Sequence, residues 1–201
     1  MTPDIFVLQT ENTDTTKTLS LHEAGWRLVL LGLERHFPKS LEGREDLRRQ
    51  ILRGETDGQQ ILVNHYGKPA FADPALPHFN ISHSGDRVVC ALAMQPVGID
   101  IQMKRRVNFD LVGQRLMPPA EYDSFLKMAD KADHFFQAWV RMESYLKCKG
   151  IGISTDLTKL TPEGRFEYLL TGDKDYYCAV YADNEYKVRL EEVSWLHLQN
   201  R

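Results

Sequence analysis

The chain has little of what would tie it to an oxidising compartment or a bilayer. Its 201 residues include three cysteines, Cys90, Cys148 and Cys178, an odd number at wide spacing with no CxxC pair. That fits a reducing compartment better than a disulfide framework, so a cytoplasmic location is expected. Cys90 and Cys178 lie in apolar, strand-like runs and read as small buried hydrophobes. The longest strongly apolar stretch, Leu28 to Leu33, is far short of the roughly 20 residues of a membrane span. Met1-Thr-Pro-Asp-Ile-Phe has neither the basic nor the hydrophobic region of a signal peptide. There is no positive excess: 25 Lys and Arg face 28 Asp and Glu, a net charge of −3. Nonspecific nucleic-acid binding, which leans on a basic surface, is therefore not expected. Low-complexity segments and internal repeats are absent too. What remains is 42% hydrophobic and 26% charged, the composition of an ordinary globular protein. Its length allows one large domain or two small halves sharing a core.

Punctuation and periodicity give the element order. Ser20 with Glu23 three positions later is a capping box for a helix over 20–36, ended by Pro38. A second, charged helix is expected over 40–53, closed by Gly54. Ile61 to Asn64 reads as a short strand, followed by a turn at Tyr66-Gly67-Lys68-Pro69. Phe79 to Ser82 and Val88 to Met94 read as strands joined by Ser84-Gly85-Asp86-Arg87. Val97 to Gln102 alternates with period two. Helices are expected over 108–116 and 119–128, and a long one from Asp133, as its cap, to Lys149, stopped by Gly150. Three strands follow, over 166–170, 176–181 and 188–198. The order predicts an α+β fold of two halves, 1–96 and 97–201, each with a long helix and an apolar β-run.

Three segments carry candidate chemistry. On the strand Val97-Gly98-Ile99-Asp100-Ile101-Gln102, the apolar residues face a core, and Gly98, Asp100 and Gln102 face the other way. The oxygens of Asp100 and Gln102 could together ligate one hard cation; the plainer reading is a half-exposed strand with its polar side in water. On the long helix, Trp139, Glu143 and Lys147 share one stripe, with Met142 and Leu146 on the buried side. Glu143 thus borders an apolar face and needs a partner, either a metal or Lys147. The plainer reading is a helix-stabilising Glu–Lys pair worth a few tenths of a kcal/mol. Phe79-Asn80-Ile81-Ser82-His83-Ser84-Gly85 offers two hydroxyls, an imidazole and a flexible glycine, a kit suited to a phosphate, or merely a hairpin turn. A hydrolase built on Ser82 or Ser84 with His83 and Asp100 is disfavoured. No GxSxG elbow is present, and adjacent side chains on a strand point apart.

The order of these segments is more telling than any one of them. Tyr66-Gly67-Lys68-Pro69, Phe79-Asn-Ile-Ser-His-Ser-Gly85, Gly98-Ile-Asp-Ile101 and Trp139-Val-Arg-Met-Glu-Ser-Tyr-Leu-Lys-Cys-Lys-Gly150-Ile-Gly152 together resemble the 4′-phosphopantetheinyl transferase superfamily. The match, over roughly residues 60–155, is to the larger, single-chain type that activates peptide and polyketide synthases. The resemblance implies two pseudo-symmetric α+β halves in one chain, with coenzyme A in the cleft between them. It implies transfer of the phosphopantetheine arm to a serine of an apo acyl or peptidyl carrier protein, releasing adenosine 3′,5′-bisphosphate. Carried over by position, Asp100 and Glu143 are the metal-binding and catalytic carboxylates for Mg2+, which Mn2+ can replace, and Gln102 stands at a third ligand position. Lys68, Ser82, His83 and Lys147 correspond to ligands of coenzyme A, and Arg27 on the first helix to a basic nucleotide-binding position. A monomer, with no nucleic acid and no membrane, completes the expectation. Two residues depart from the pattern: Gln102 where relatives are often acidic, and Met142 where a lysine is usual. They keep two rivals in view: a coenzyme A-binding homologue without catalysis, and an unrelated metal-dependent phosphohydrolase.

Overall fold

The computed structural model describes residues 2–13, 19–56, 59–153, 156–160, 162–170 and 172–201. The fold is α+β, and its elements begin and end where the local chemistry says. Helix α1, Leu21–His36, starts on the expected capping box. Ser20 Oγ accepts from the Glu23 amide at 3.2 Å, and Glu23 accepts from the Ser20 amide at 2.8 Å. Helix α2, Glu45–Arg53, follows a single turn of 3-10 helix at Pro38–Leu41 and ends on Gly54 in the left-handed region, φ 61°. Helices α3, Phe109–Leu116, and α4, Pro119–Leu126, lead into the long α5, Lys131–Lys149. The cap of α5 is Asp130, which accepts from the Ala132 amide, not Asp133. Asp133 lies one turn inside and pairs with Lys104 at 2.7 Å.

The strands form two main sheets and a hairpin. The first sheet has the order β4-β5-β1-β9, made of His78–Ser84, Arg87–Ala93, Asp4–Glu11 and Lys187–Glu192. Its neighbours are antiparallel except β1 and β9, which are parallel. The second sheet is antiparallel, in the order β6-β8-β7, from Gly98–Met103, Tyr176–Ala182 and Arg165–Leu169. Ile61–Val63 and Pro69–Phe71, β2 and β3, make a separate hairpin.

Two features of the first sheet depart from expectation. Its inner strand β1 has no clear signature, because Ile5 and Val7 enter the core between the sheets while Leu8 joins the core under α1, with Phe6 packed against it. A strand covered on both faces reads as a short apolar run without alternation. The strand expected over 188–198 stops at Glu192. Ser194 accepts from the His197 amide at 3.2 Å and starts helix α6, Trp195–Gln199, whose Trp195 and Leu198 enter the first core. Residues 187–199 thus belong in space with the N-terminal sheet, and the halves are interleaved through this last segment.

The layers run helix, sheet, sheet, helix. Helix α1 covers the outer face of the first sheet through Trp26, Leu28 and Leu33. Val89, Ala91, Val97, Ile99, Ile101, Cys178 and Val180 fill the space between the sheets. Helix α5 covers the second sheet. No helix among the described residues is long and apolar enough to cross a membrane.

The edge strands β4 and β6 meet without a backbone ladder. Instead, three side chains of β4 accept from three amides of β6: Asn80 Oδ1 from Ile99 at 2.8 Å, Ser82 Oγ from Ile101 at 3.2 Å, and Ser84 Oγ from Met103 at 2.9 Å. The constant offset of 19 residues shows two strands running in step. Polar side chains at period two therefore supply the acceptors that an edge strand would otherwise take from water.

Helix α5 lies against β6 at backbone distance, because Gly98 has no side chain. A Cβ there would sit 1.9 Å from the Ser144 carbonyl oxygen and 2.4 Å from the Cys148 nitrogen. Both atoms belong to helical backbone and cannot rotate aside. Gly98→Ala is therefore expected to destabilise the protein by about 3 kcal/mol or more, read as a lower midpoint in urea. Gly32→Ala, whose nearest obstacle is a Leu92 methyl at 2.5 Å, should lose less, because a side chain can move.

Candidate active site

The same contact surface between β4, β6 and α5 gathers the charged residues. The face of β6 opposite the sheet core carries Asp100, and α5 covers it, so the carboxylate is 1% exposed. A buried carboxylate needs donors, and Asp100 has three. Lys147 Nζ, from α5, donates to Oδ1 at 2.6 Å. Ser82 Oγ, from β4, donates to Oδ1 at 2.9 Å. Gln102 Nε2, from β6 itself, donates to Oδ2 at 3.1 Å. The reading of this strand face as polar residues in water is thereby overturned. Ser82 also accepts from the Ile101 amide and from Lys147 at 2.9 Å, which uses one donor and both lone pairs of its hydroxyl.

Glu143 stands one helical turn before Lys147. The two do not form the helix-stabilising pair that their spacing allows, since Lys147 turns to Asp100 instead. Among the described residues the half-buried Glu143 carboxylate has neither a hydrogen-bond partner nor an ion pair. Burial pushes its pKa up to about 7, the negative charge of Asp100 adds to this, and Lys147 works against it. Two carboxylates and one ammonium thus share a partly dry space, an arrangement with an excess of negative charge.

The other sequence candidates lie around this centre at unequal removes. His83 follows Ser82 on β4, so its ring points to the opposite face, the one packed by α1. No serine–histidine–aspartate relay is formed. Partial burial, then the charge of Lys147, then that of His22 hold its imidazole below the ordinary range. Lys68 lies over the C-terminal end of α5, its Nζ 3.2 Å from the Cys148 carbonyl and 3.4 Å from that of Val97. Burial lowers its pKa. Arg27 is the outlier: its Nη1 bonds the carbonyls of Leu198 and Gln199 at 2.6 and 3.1 Å, capping the end of α6. Met142 is buried in the apolar cluster of α5, so a lysine at that place would enter this cluster. Arg141 instead lies over the Phe166 ring at 5.6 Å.

Asn80 and Ser84 sit inside a motif that the sequence singled out, yet their work at the strand joint is not legible from composition. The available signal is the period-two polar pattern of β4 beside the period-two apolar pattern of β6.

The residues present suit a hard divalent ion. Among the described residues no three His, Cys, Asp or Glu side chains converge, so a site made wholly of protein ligands is not built here. Asp100 and Glu143, with the amide oxygen of Gln102 reachable by rotation of its terminal group, offer the small oxygen set that suffices for an ion retaining water and phosphate ligands. The partnerless Glu143 is the observation that fits such an ion.

A pH test follows from Glu143. Its pKa is raised in the folded state, so the native protein binds more protons than the unfolded chain between about pH 4.5 and 7. In chelator, its contribution should lower stability as pH rises through that window. Glu143→Gln should remove that fall and gain about 1 kcal/mol at pH 8, a modest figure because the half-buried carboxylate keeps part of its hydration. Parallel urea curves for the two proteins from pH 5 to 8 would refute this cause.

Comparison with known proteins adds a family likeness. Residues 96–191 match the family model described as the 4′-phosphopantetheinyl transferase superfamily. The chain is 39% identical over 141 residues to a 4′-phosphopantetheinyl transferase of Bacillus subtilis, covering 65% of this chain and 62% of the relative. It is 38% identical over 116 residues to the 4′-phosphopantetheinyl transferase Sfp of Bacillus subtilis strain 168, covering 57% and 51%. A putative 4′-phosphopantetheinyl transferase of Haemophilus influenzae is 36% identical over 99 residues, covering 47% and 42%. The chain therefore spans between two fifths and two thirds of the length of these relatives. Taken with the ordered motifs that meet at the β4–β6–α5 junction, these matches make the chain similar to the 4′-phosphopantetheinyl transferase superfamily over residues 96–191, just under half of its length.

Proposed function

We propose that this protein transfers the 4′-phosphopantetheine arm of coenzyme A to a serine of an apo acyl or peptidyl carrier protein, releasing adenosine 3′,5′-bisphosphate. The observation that carries the reading is the partnerless, half-buried Glu143 beside the buried Asp100, in the segment that matches the superfamily. The relatives' names support the reaction class. We assign the cofactor as Mg2+, replaceable by Mn2+, and its protein ligands as Asp100, Glu143 and Gln102. We divide the labour between the halves 1–96 and 97–201: the second brings the carboxylates and Lys147, and the first brings Ser82 beside them, Lys68 at the end of α5 and His83 on the other face of β4. The protein would act as a cytoplasmic monomer.

The chemistry asked of these residues is modest. Phosphoryl transfer is catalysed chiefly by positioning and charge neutralisation. When bound, the metal ion supplies a positive centre for the pyrophosphate and for charge developing on the leaving group. Lys147, fixed on α5, neutralises phosphate charge from one side. His83 reaches the ligand from the other face of β4, and Lys68 from the end of α5. Glu143 is the candidate base for the proton of the carrier serine. Ser82 orients Asp100 and Lys147 together, since its single hydroxyl touches both. Arg27 has its Nη1 engaged at the end of α6, so its part in nucleotide binding would have to come through its remaining donors.

The decisive experiment is incubation with coenzyme A, Mg2+ and apo-carriers of several kinds, read by intact-protein mass. A gain of roughly 340 Da on one serine is expected. Tight coenzyme A binding without any gain would favour the non-catalytic homologue, and free phosphopantetheine without a carrier would favour a hydrolase. Chelator should abolish transfer, and Mg2+ or Mn2+ should restore it.

Single substitutions separate the roles. Asp100→Asn keeps size but removes the charge and one of the two acceptor oxygens, and should lose activity by at least about a hundredfold. Glu143→Gln should cripple turnover while leaving coenzyme A affinity within about threefold, because its charge acts on the transferring proton and metal. His83→Ala should weaken coenzyme A binding by about ten- to 150-fold, the loss of one charge-assisted hydrogen bond. An unchanged Michaelis constant with a lower melting temperature would make His83 structural instead.

A further inference from the structure

The β2–β3 hairpin has its own two-stranded sheet and stands apart from the two larger ones. Its turn grips the end of the helix that carries Glu143 and Lys147. Helix α5 closes on Gly150 in the left-handed region, φ 66°, whose amide returns to the carbonyls of Leu146 and Lys147. The carbonyls of Cys148 and Gly150 lie beyond that loop's reach, and the hairpin supplies their donors. Lys68 Nζ donates to Cys148 O at 3.2 Å, and Asn64 Nδ2 donates to Gly150 O at 2.8 Å. The close approach needs a glycine, since a Cβ on Gly150 would stand 2.8 Å from Asn64 Nδ2.

Asn64 is also the organiser of its own turn. Its Oδ1 accepts from the amides of Tyr66 and Lys68, both at 2.9 Å, so one planar side chain fixes the turn with its oxygen and the helix with its nitrogen. From Gly150 back to Lys147 is one helical turn and to Glu143 two, about 10 Å along the axis. Between them the helix rests on Gly98, the contact at Ser144 and Cys148. A helix held at a fulcrum and at one end transmits a shift of that end to the side chains near it.

We propose that Asn64 is a positioning residue of the transfer reaction: through its bond to Gly150 it fixes the C-terminal end of α5, and so sets Glu143 and Lys147 against Asp100. The proposal rests on the transferase reading only for its consequence on rate; the clamp itself has an independent readout.

Asn64→Asp is the discriminating variant. It keeps the oxygen that accepts from Tyr66 and Lys68, loses the donor to Gly150, and sets a negative charge at the negative end of a helix. Three measurements on the full chain test it: amide hydrogen exchange over residues 146–151, Mn2+ affinity by electron paramagnetic resonance with coenzyme A present, and kcat. Exchange in that segment should speed up. Mn2+ affinity and kcat should each fall about three- to tenfold, the effect of one modest hydrogen bond. The melting temperature should fall by only about 2–4 °C, the shift of about 1 kcal/mol in a protein of this size. Asn64→Ala, which also loses the turn, should do the same with a lower melting temperature. Wild-type exchange, or faster exchange with unchanged Mn2+ affinity and rate, in Asn64→Asp would overturn the proposal. If the wild-type protein modifies no carrier, the transferase reading fails by itself, and exchange with Mn2+ affinity still judges the clamp.

Discussion

The molecule depends on a seam in which side chains replace a backbone ladder. Two edge strands from different sheets run in step, and Asn80, Ser82 and Ser84 answer the amides of Ile99, Ile101 and Met103. A true ladder would have merged the sheets into one. Open edges would have exposed unpaired amides. The side-chain seam keeps the strands apart by the length of a serine or asparagine, and the middle hydroxyl reaches Asp100 as well. The residue that joins the halves is thus the one that aims the buried carboxylate. This couples stability to geometry: a buried charge left without its partners costs several kcal/mol, so the seam and the charged cluster hold or fail together.

The cluster itself is left incomplete by the fold. Asp100 is saturated with donors, whereas Glu143, one turn away from the lysine that could have met it, has no hydrogen-bond or ion-pair partner among the described residues and a raised pKa. Sites that perform chemistry often carry such unresolved charge, and the rest of the structure offsets it.

Much of this was readable beforehand because the determining signals are local. The capping box at Ser20, the left-handed glycines after α2 and α5, and the alternation of Val97 to Gln102 each report a short-range rule, and the structure follows them. The rest depended on tertiary contact. Strand β1 is covered on both faces and so shows no alternation. Trp195 and Leu198 look strand-like until Ser194 turns the chain into a helix. On the site, sequence spacing grouped Glu143 with Lys147, but the lysine had a stronger acceptor across the interface in Asp100. Lys68 and Arg27 were legible as cations, while the carbonyls they serve, at the ends of α5 and α6, come from distant parts of the chain.

The place of β9 bears on how the protein comes into being. The register Asp4–Lys187 to Gln9–Glu192 pairs β1 with a strand far along the chain. The N-terminal sheet therefore lacks one flank, and its core lacks Trp195 and Leu198, until residues 187–199 have left the ribosome. Such non-local closure is slow compared with helix or hairpin formation, and a truncated product would present β1 as an open apolar edge. Cellular proteases and chaperones would meet an unfinished chain as one exposed surface, so partial translation products should be cleared rather than accumulate.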